Sequence, residues 1–278
     1  MKKVSIKVHS GLGNQIFMIF CLLSYYIDNC DDYVIYYEED ETKKYYWDTF
    51  FKKINNKKSQ QKLKNEKIYS EPYFHYKKIP KYDFDIVLNG FFQSDKFFKH
   101  NINKIKNIID LDKQISNIKN EYSEYFKRKT IAVHFRIGDY YNLQNMHPIQ
   151  KVEYYIKSLN MLIEKGLNIK EYDILYFCQE SDNIIVNEYI KIINIYIDNL
   201  KFVKISDSIP DWKQLLLMNS VKHFIIGNST FSWMGAYLSN SYEKKEAIVI
   251  CPRLWFGDYY NYHQLQDLRP EDWIIIEN

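Results

Sequence analysis

Four short segments of the chain place glycine, hydroxyl, amide or charged residues where a strand should give way to a helix. In Val133-His134-Phe135-Arg136-Ile137-Gly138-Asp139-Tyr140 an imidazole, a guanidinium and a carboxylate surround a glycine turn. A guanidinium there suits a diphosphate, to which it can donate two parallel hydrogen bonds. An Arg136–Asp139 salt bridge that merely shapes the turn is the competing explanation. In Ile225-Ile226-Gly227-Asn228-Ser229-Thr230-Phe231-Ser232-Trp233 hydroxyls and amides precede a helix. Free N–H groups at a helix start attract anions, though ordinary capping by Ser229 or Thr230 fits equally well. His9-Ser10-Gly11-Leu12-Gly13-Asn14-Gln15 carries two glycines that let the backbone approach a ligand, or that make a plain tight turn. It lacks the third glycine of the dinucleotide fingerprint. In Gly90-Phe91-Phe92-Gln93-Ser94-Asp95-Lys96-Phe97-Phe98, Ser94 reads as a helix cap and the aromatics as core.

The elements that must position these segments alternate almost throughout. Val4 to Val8 is β-branched and alternating, a first strand; Gln15 to Ile27 is an apolar helix and Tyr33 to Tyr37 a second strand. Lys43 to Lys81 has no clear period and reads as loops and short helices. Ile86 to Phe92 is a strand, Ser94 to His100 a helix, and Ile102 to Phe126 has helical spacing. After Arg128 come strands at 131–135, 174–178, 202–205, 223–226 and 247–251, with helices at 152–165, 183–192, 211–220 and 230–239. Such alternation predicts parallel α/β sheets with ligands at the carboxyl ends of their strands. The expectation is two lobes, 1–127 and 128–278.

The chain has 278 residues, 46% hydrophobic and 26% charged, an ordinary globular balance. A net charge of +3 is too small to argue for nucleic acid, and the polar stretch Lys52 to Lys67 reads as a solvated face. Lysine is the default cation and only Arg128, Arg136, Arg253 and Arg269 are arginine. An arginine kept in such a chain implies that its planar fork matters. Cys21, Cys30, Cys178 and Cys251 show neither C-x-x-C nor metal-ligand spacing, and read as buried or idle thiols in a reducing compartment. Apolar residues 16–23 follow the glycine turn without a small-residue cleavage site. No run approaches the ~20 apolar residues of a membrane span. A soluble, unprocessed, cytoplasmic protein is expected.

In this order and at these separations, the segments resemble the α-1,2-fucosyltransferase family. The glycine segment Ser10 to Phe17 matches its GGLGNQ-F start, and Gly90 to Phe98 its G-[YF]-[FW]-Q-S-x-K-[YF]-F. His134, Arg136, Gly138, Asp139 and Tyr140 match H-x-R-R-G-D-Y. Leu217-Met218 and Asn228 to Leu238 match L-M-S…N-S-[TS]-F-S-W-W-G-A-x-L, and Pro252 with Trp255-Phe256 matches P-x-x-W-F. The resemblance covers about residues 4 to 257. It implies a glycosyltransferase B fold, two Rossmann-like lobes facing a cleft, acceptor side in 1–127 and nucleotide sugar in 128–278. It implies inverting transfer of L-fucose from GDP-fucose to a hydroxyl, the 2-OH, of an acceptor glycan, without metal or other cofactor. The implied catalytic residues are Arg136, which grips the β-phosphate, and Asn14, which faces the transferred sugar; Asp139 is a further catalytic candidate. The implied donor-binding set adds His134, Gln214, Asn228, Ser229, Thr230, Phe231 and Gly13.

Three departures bear on the donor. Ile137 stands where the family has a second arginine, so one positive charge is missing. Met234 replaces a tryptophan. Gln214 stands where relatives carry an acid suited to guanine, and an amide cannot accept both guanine N–H donors.

The chemistry also follows from the residues. Cleaving a sugar from its diphosphate develops negative charge on the leaving group, which a fixed guanidinium and helix-start N–H groups stabilise. The D-x-D patterns Asp83-Phe84-Asp85 and Asp110-Leu111-Asp112 are poorly placed for a metal. A general base must accept the acceptor's proton unless deprotonation is late; Asp139 is the candidate, or it orients Arg136. Transfer of another sugar such as rhamnose is the main alternative. A non-catalytic glycan-binding protein would need no diphosphate clamp. A nicotinamide-dependent oxidoreductase lacks its glycine fingerprint and ribose-binding acid.

Overall fold

The computed structural model describes residues 2–38, 42–61, 67–260 and 263–277. The chain forms two compact units, residues 1–114 with 262–271, and residues 115–261 with 272–278. In the first, β1 (Lys3–Lys7), α1 (Leu12–Asn29), β2 (Asp32–Tyr36), β3 (Lys58–Ser59), β4 (Lys67–Ser70), β5 (Ile86–Asn89) and α2 (Ile102–Ile109) follow in order, and α3 (Leu111–Glu121) spans the junction. All pairings are parallel, in the order β3-β2-β1-β5-β4. Val4 and Ile6 of β1 are fully buried, and every residue of α1 from Gln15 to Tyr25 is buried, its apolar residues running all round the helix.

The second unit holds β6 (Lys129–His134), α4 (Val152–Glu164), β7 (Tyr172–Phe177), α5 (Asn183–Tyr196), β8 (Lys201–Lys204), α6 (Asp211–Asn219), β9 (His223–Ile225), α7 (Thr230–Tyr237), α8 (Asn240–Glu243), β10 (Val249–Pro252) and β11 (Ile274–Ile276). Its six strands are parallel in the order β11-β10-β9-β6-β7-β8. Every residue of β7 is buried, the mark of a strand covered on both faces. Its core joins Ile131, Val133, Tyr155, Leu159, Ile174 and Ile225.

This order explains why chemistry gathers where it does. In each sheet the chain starts centrally, builds outward on one side, then returns to the other side of its first strand. The reversal falls between β1 and β5 in one unit and between β6 and β9 in the other. Loops leaving adjacent strands at such a point diverge and leave a crevice for a ligand.

Several expectations change in detail. The helical stretch after Ile102 breaks at Asp110, which adopts a left-handed φ of 58° that aspartate tolerates. The helix expected from Ser94 is two separate 3-10 turns. The loops expected over 43–81 contain β3 and β4, edge strands whose exposure hides any alternation; residues 62–66 lie outside the described residues. The units divide at residue 114 rather than 127. The end of α3 and the turn after it belong to the second unit, where Glu121 pairs with Lys213 at 2.5 Å and the Tyr125 hydroxyl accepts from the Ser206 amide at 3.3 Å. The segment 262–271 returns to the first unit, where Asp267 meets Lys96 at 2.6 Å.

Candidate functional site

At the second unit's reversal, β6 ends in His134, whose carbonyl accepts the Tyr155 hydroxyl at 3.3 Å. The chain then turns sharply. Gly138 has φ +29°, and both carboxylate oxygens of the buried Asp182 accept its amide at 3.0 Å. A Cβ at this position would stand 1.8 Å from the Gln179 side-chain oxygen, so only glycine fits unless Gln179 moves. Ile137 is driven into the core beside Phe135 and Val133. That alters the meaning of the missing second arginine: position 137 points into apolar packing, so a cation there would be buried away from the Arg136 turn.

Arg136 is held from several sides. Its guanidinium lies 4.7 Å over the Tyr140 ring and its Nη2 donates to Asp139 at 2.6 Å. Tyr140 donates its hydroxyl to the Asn228 carbonyl at 3.1 Å and stacks on His147 at 4.8 Å. From the neighbouring strand, Gly227 abuts both residues of the first loop. A Cβ added there would lie 3.4 Å from Arg136 Cβ and 3.6 Å from His134 Nδ1. Two nitrogens at this junction are buried without a hydrogen-bond partner, Arg136 Nε and His134 Nδ1. A buried donor left unpaired costs about 1–3 kcal/mol, and an orphan in a folded protein calls for a reason. His134 is pushed down to about 3 by burial and then by the Arg136 charge, so its ring is neutral.

The other expected residues take distinct positions. The Ser229 hydroxyl caps α7 by accepting from the Phe231 amide at 3.3 Å, and Thr230 opens that helix. The Phe231 ring lies 5.6 Å from His134. Asn228 donates to the carbonyls of Pro148 and Trp255, at 2.9 and 3.1 Å, so its amide fastens three loops together. Gln214 sits on α6, its amide donating at 2.8 Å to the Ile209 carbonyl just before the helix. The Asp139 carboxylate is largely exposed and committed to Arg136.

Gly13 and Asn14 belong to the first unit, in the opening turn of α1 at that sheet's reversal. There Asn14 Oδ1 accepts from Gln93 Nε2 at 2.9 Å, tying the first turn of α1 to the loop after β5. The carboxylates of the two D-x-D patterns are paired. Asp83 faces Lys2 and Asp85 accepts the Lys3 amide, while Asp110 faces Lys53 and Asp112 faces Lys106. Among the described residues, no three His, Cys, Asp or Glu side chains come together as a metal site would require.

Sequence reading singled out neither Asp182 nor Gln93 as a site residue, and it passed over Glu71. Gln93 lies inside the Gly90–Phe98 motif. Asp182 and Glu71 act across strands on loops far along the chain, and no local pattern announces them.

The glycosyl transferase family 11 model matches residues 37–277. The chain belongs to this family. Among curated relatives, an alpha-1,2-colitosyltransferase of Escherichia coli is 30% identical over 202 residues, covering 68% of this chain and 61% of that protein. The O-antigen biosynthesis glycosyltransferase WbnK of Escherichia coli is 27% identical over 182 residues, 61% of this chain and 55% of that one. The matches thus span somewhat over half the length of these relatives. Among solved structures, a glycosyl transferase family 9 protein from Veillonella parvula superposes with a TM-score of 0.51 at 11% identity, over 99% of this chain and 87% of that one. That likeness carries the fold: two parallel α/β units of the glycosyltransferase B type. In the second unit, loops from both sides of the sheet reversal converge on Arg136 and His134. No helix among the described residues is long and apolar enough to cross a membrane.

Proposed function

We propose that the chain transfers L-fucose from GDP-fucose to the 2-hydroxyl of an acceptor sugar with inversion, the second unit holding the diphosphate. The observation that carries this reading is the part-exposed Arg136 guanidinium, fixed over Tyr140 at a glycine-lined junction before the α7 N-terminus. A diphosphate oxygen can take the place of Asp139 as acceptor for the guanidinium Nη2. As the anomeric C–O bond breaks, the electron pair leaves with the diphosphate, and the guanidinium and helix-start dipoles stabilise the growing charge. Membership of family 11 supports the same reaction class. The acceptor attacks from the opposite face and its proton passes to a base or to solvent; Asp139, bound to Arg136, orients the clamp. The reaction needs no metal on this account, because the guanidinium takes the metal's part.

A second donor is favoured by one observation. The 30% identical relative is an alpha-1,2-colitosyltransferase, so transfer of colitose in place of fucose is the alternative. Incubation with GDP-fucose, GDP-colitose, UDP- and dTDP-sugars, read as release of free nucleotide, separates them. GDP-fucose is expected to turn over fastest. A preference for a UDP- or dTDP-sugar would overturn the nucleotide assignment, and hydrolysis of none would overturn the reaction class.

A further inference from the structure

The loop that carries Gln93 is held in a disfavoured shape by a carboxylate from a different strand. Phe92 is fully buried yet has a φ of +53°, a region that side chains with a Cβ avoid. Gly90 precedes it, and a Cβ there would sit 2.4 Å from Glu71 Cβ. Glu71 follows β4 and extends its pairing by donating its own amide to the Asn89 carbonyl at 2.8 Å. Its Oε2 accepts two successive amides of the turn, Phe91 at 2.9 Å and Phe92 at 3.0 Å. One residue further on, Gln93 donates to Asn14 at 2.9 Å. The path from carboxylate to Asn14 is therefore Glu71, the 91–92 amides, Gln93, Asn14.

We propose that Glu71 is a positioning residue for sugar transfer, bracing the Gly90–Gln93 turn so that Gln93 fixes the Asn14 side chain. This rests on the reading that Asn14 faces the transferred sugar. Glu71 Oε1 is buried and has no partner, so one oxygen does all the bracing while the other stays dry. With Oε2 committed to two backbone amides and Oε1 buried, the carboxylate is a support rather than a base. The titratable groups that face it are Cys21 on α1 and Tyr69 on β4, both pushed upward in part by Glu71 and both neutral near pH 7. Among the described residues no cation offsets the burial. Desolvation therefore raises Glu71 to about 7, against the pull of the two amides. The ionised form accepts charge-assisted bonds and holds the turn firmly, whereas the neutral acid is a weaker acceptor. Bracing weakens as pH falls through 7.

Two measurements test this. With ¹⁵N-phenylalanine label, two backbone amides are expected to move together with a midpoint near pH 7, and to stop titrating in Glu71→Gln, which keeps the shape. If no phenylalanine amide titrates there, or if the same pair still titrates in Glu71→Gln, the brace is refuted whatever the protein's activity. In the transfer assay kcat is expected to fall below pH 7 in the wild type, with a flatter profile in Glu71→Gln. Glu71→Ala should lose about tenfold in kcat with little change in donor KM, a modest share of what a 1 Å misplacement can cost. A folded Glu71→Ala with kcat within twofold of wild type would refute the positioning role. Asn14→Ala separates this from the reading beneath it. If that variant transfers normally while the amides titrate as expected, Asn14 is not at the sugar and Glu71 only braces the turn.

Discussion

Replacing Arg136 should barely disturb the fold while disabling transfer, and the structure supplies both magnitudes. The Arg136–Asp139 pair is half solvent-exposed, with 23% and 58% of the side chains accessible. Such pairs contribute roughly 0.2–1 kcal/mol. The Tyr140 contact adds about 0.5–1 kcal/mol at a site of this exposure. Against these stands the orphaned Nε, whose burial costs about 1–3 kcal/mol that Arg136→Ala would recover. The terms nearly cancel, so the unliganded variant should melt within a few degrees of wild type, given ~2–4 °C per kcal/mol for a chain of this size. Turnover should fall by roughly 10²-fold or more, as when one preorganised donor is removed. The GDP-induced rise in melting temperature should vanish with it. Arg136→Lys keeps the charge without the fork and should recover only part of each loss. Melting scans with and without GDP, beside nucleotide-release kinetics, check both halves. A variant that melts far lower, yet turns over within a few-fold of wild type, would show that Arg136 only ties down the turn.

Ile137→Arg, which restores the family's second arginine, should cost roughly 3–5 kcal/mol as an unpaired charge in the core, and urea titration should show it without any gain in GDP affinity. His134 is neutral in the fold, at about 3, against 6.5 in the unfolded chain. Below pH 6.5 only the unfolded state binds its proton, so stability is lost progressively as pH falls from 6.5 towards 3. By pH 5 the loss is about 2 kcal/mol, to be seen in urea midpoints and reduced in His134→Gln. Gln214→Asp should raise the GDP-to-UDP affinity ratio about tenfold, the worth of a charge-assisted contact, while the lost Ile209 bond lowers the melting point slightly; calorimetry giving an unchanged ratio would remove Gln214 from the base site.

How much of this was readable in the sequence depended on whether the signal was local. The buried strands of the second unit were visible because short apolar runs such as 131–135 follow polar stretches and alternate with helical spacing. The motif residues before α7 were visible for the same reason, since capping and turn chemistry act within a few positions. What remained hidden acts across strands. The direction of Ile137 depends on the Gly138 turn, which Asp182 sets from 44 residues away. The commitment of Asn228 to Pro148 and Trp255 exists only once three loops meet. The edge strands β3 and β4 had no alternation to show because they are mostly exposed. The α2–α3 break needed a left-handed aspartate that composition does not announce.

The return of residues 262–271 to the first unit has a consequence for how the protein is made. Lys96 must wait for Asp267, 171 positions later, and β10 gains its outer neighbour only with Ile274–Ile276. Neither unit is therefore contiguous in the gene. At about 5–20 residues per second, a ribosome spends roughly ten to thirty seconds between the two ends of that ion pair. For all of that time the first unit lacks its closing segment, and a chain cut after residue 261 would leave both units unfinished.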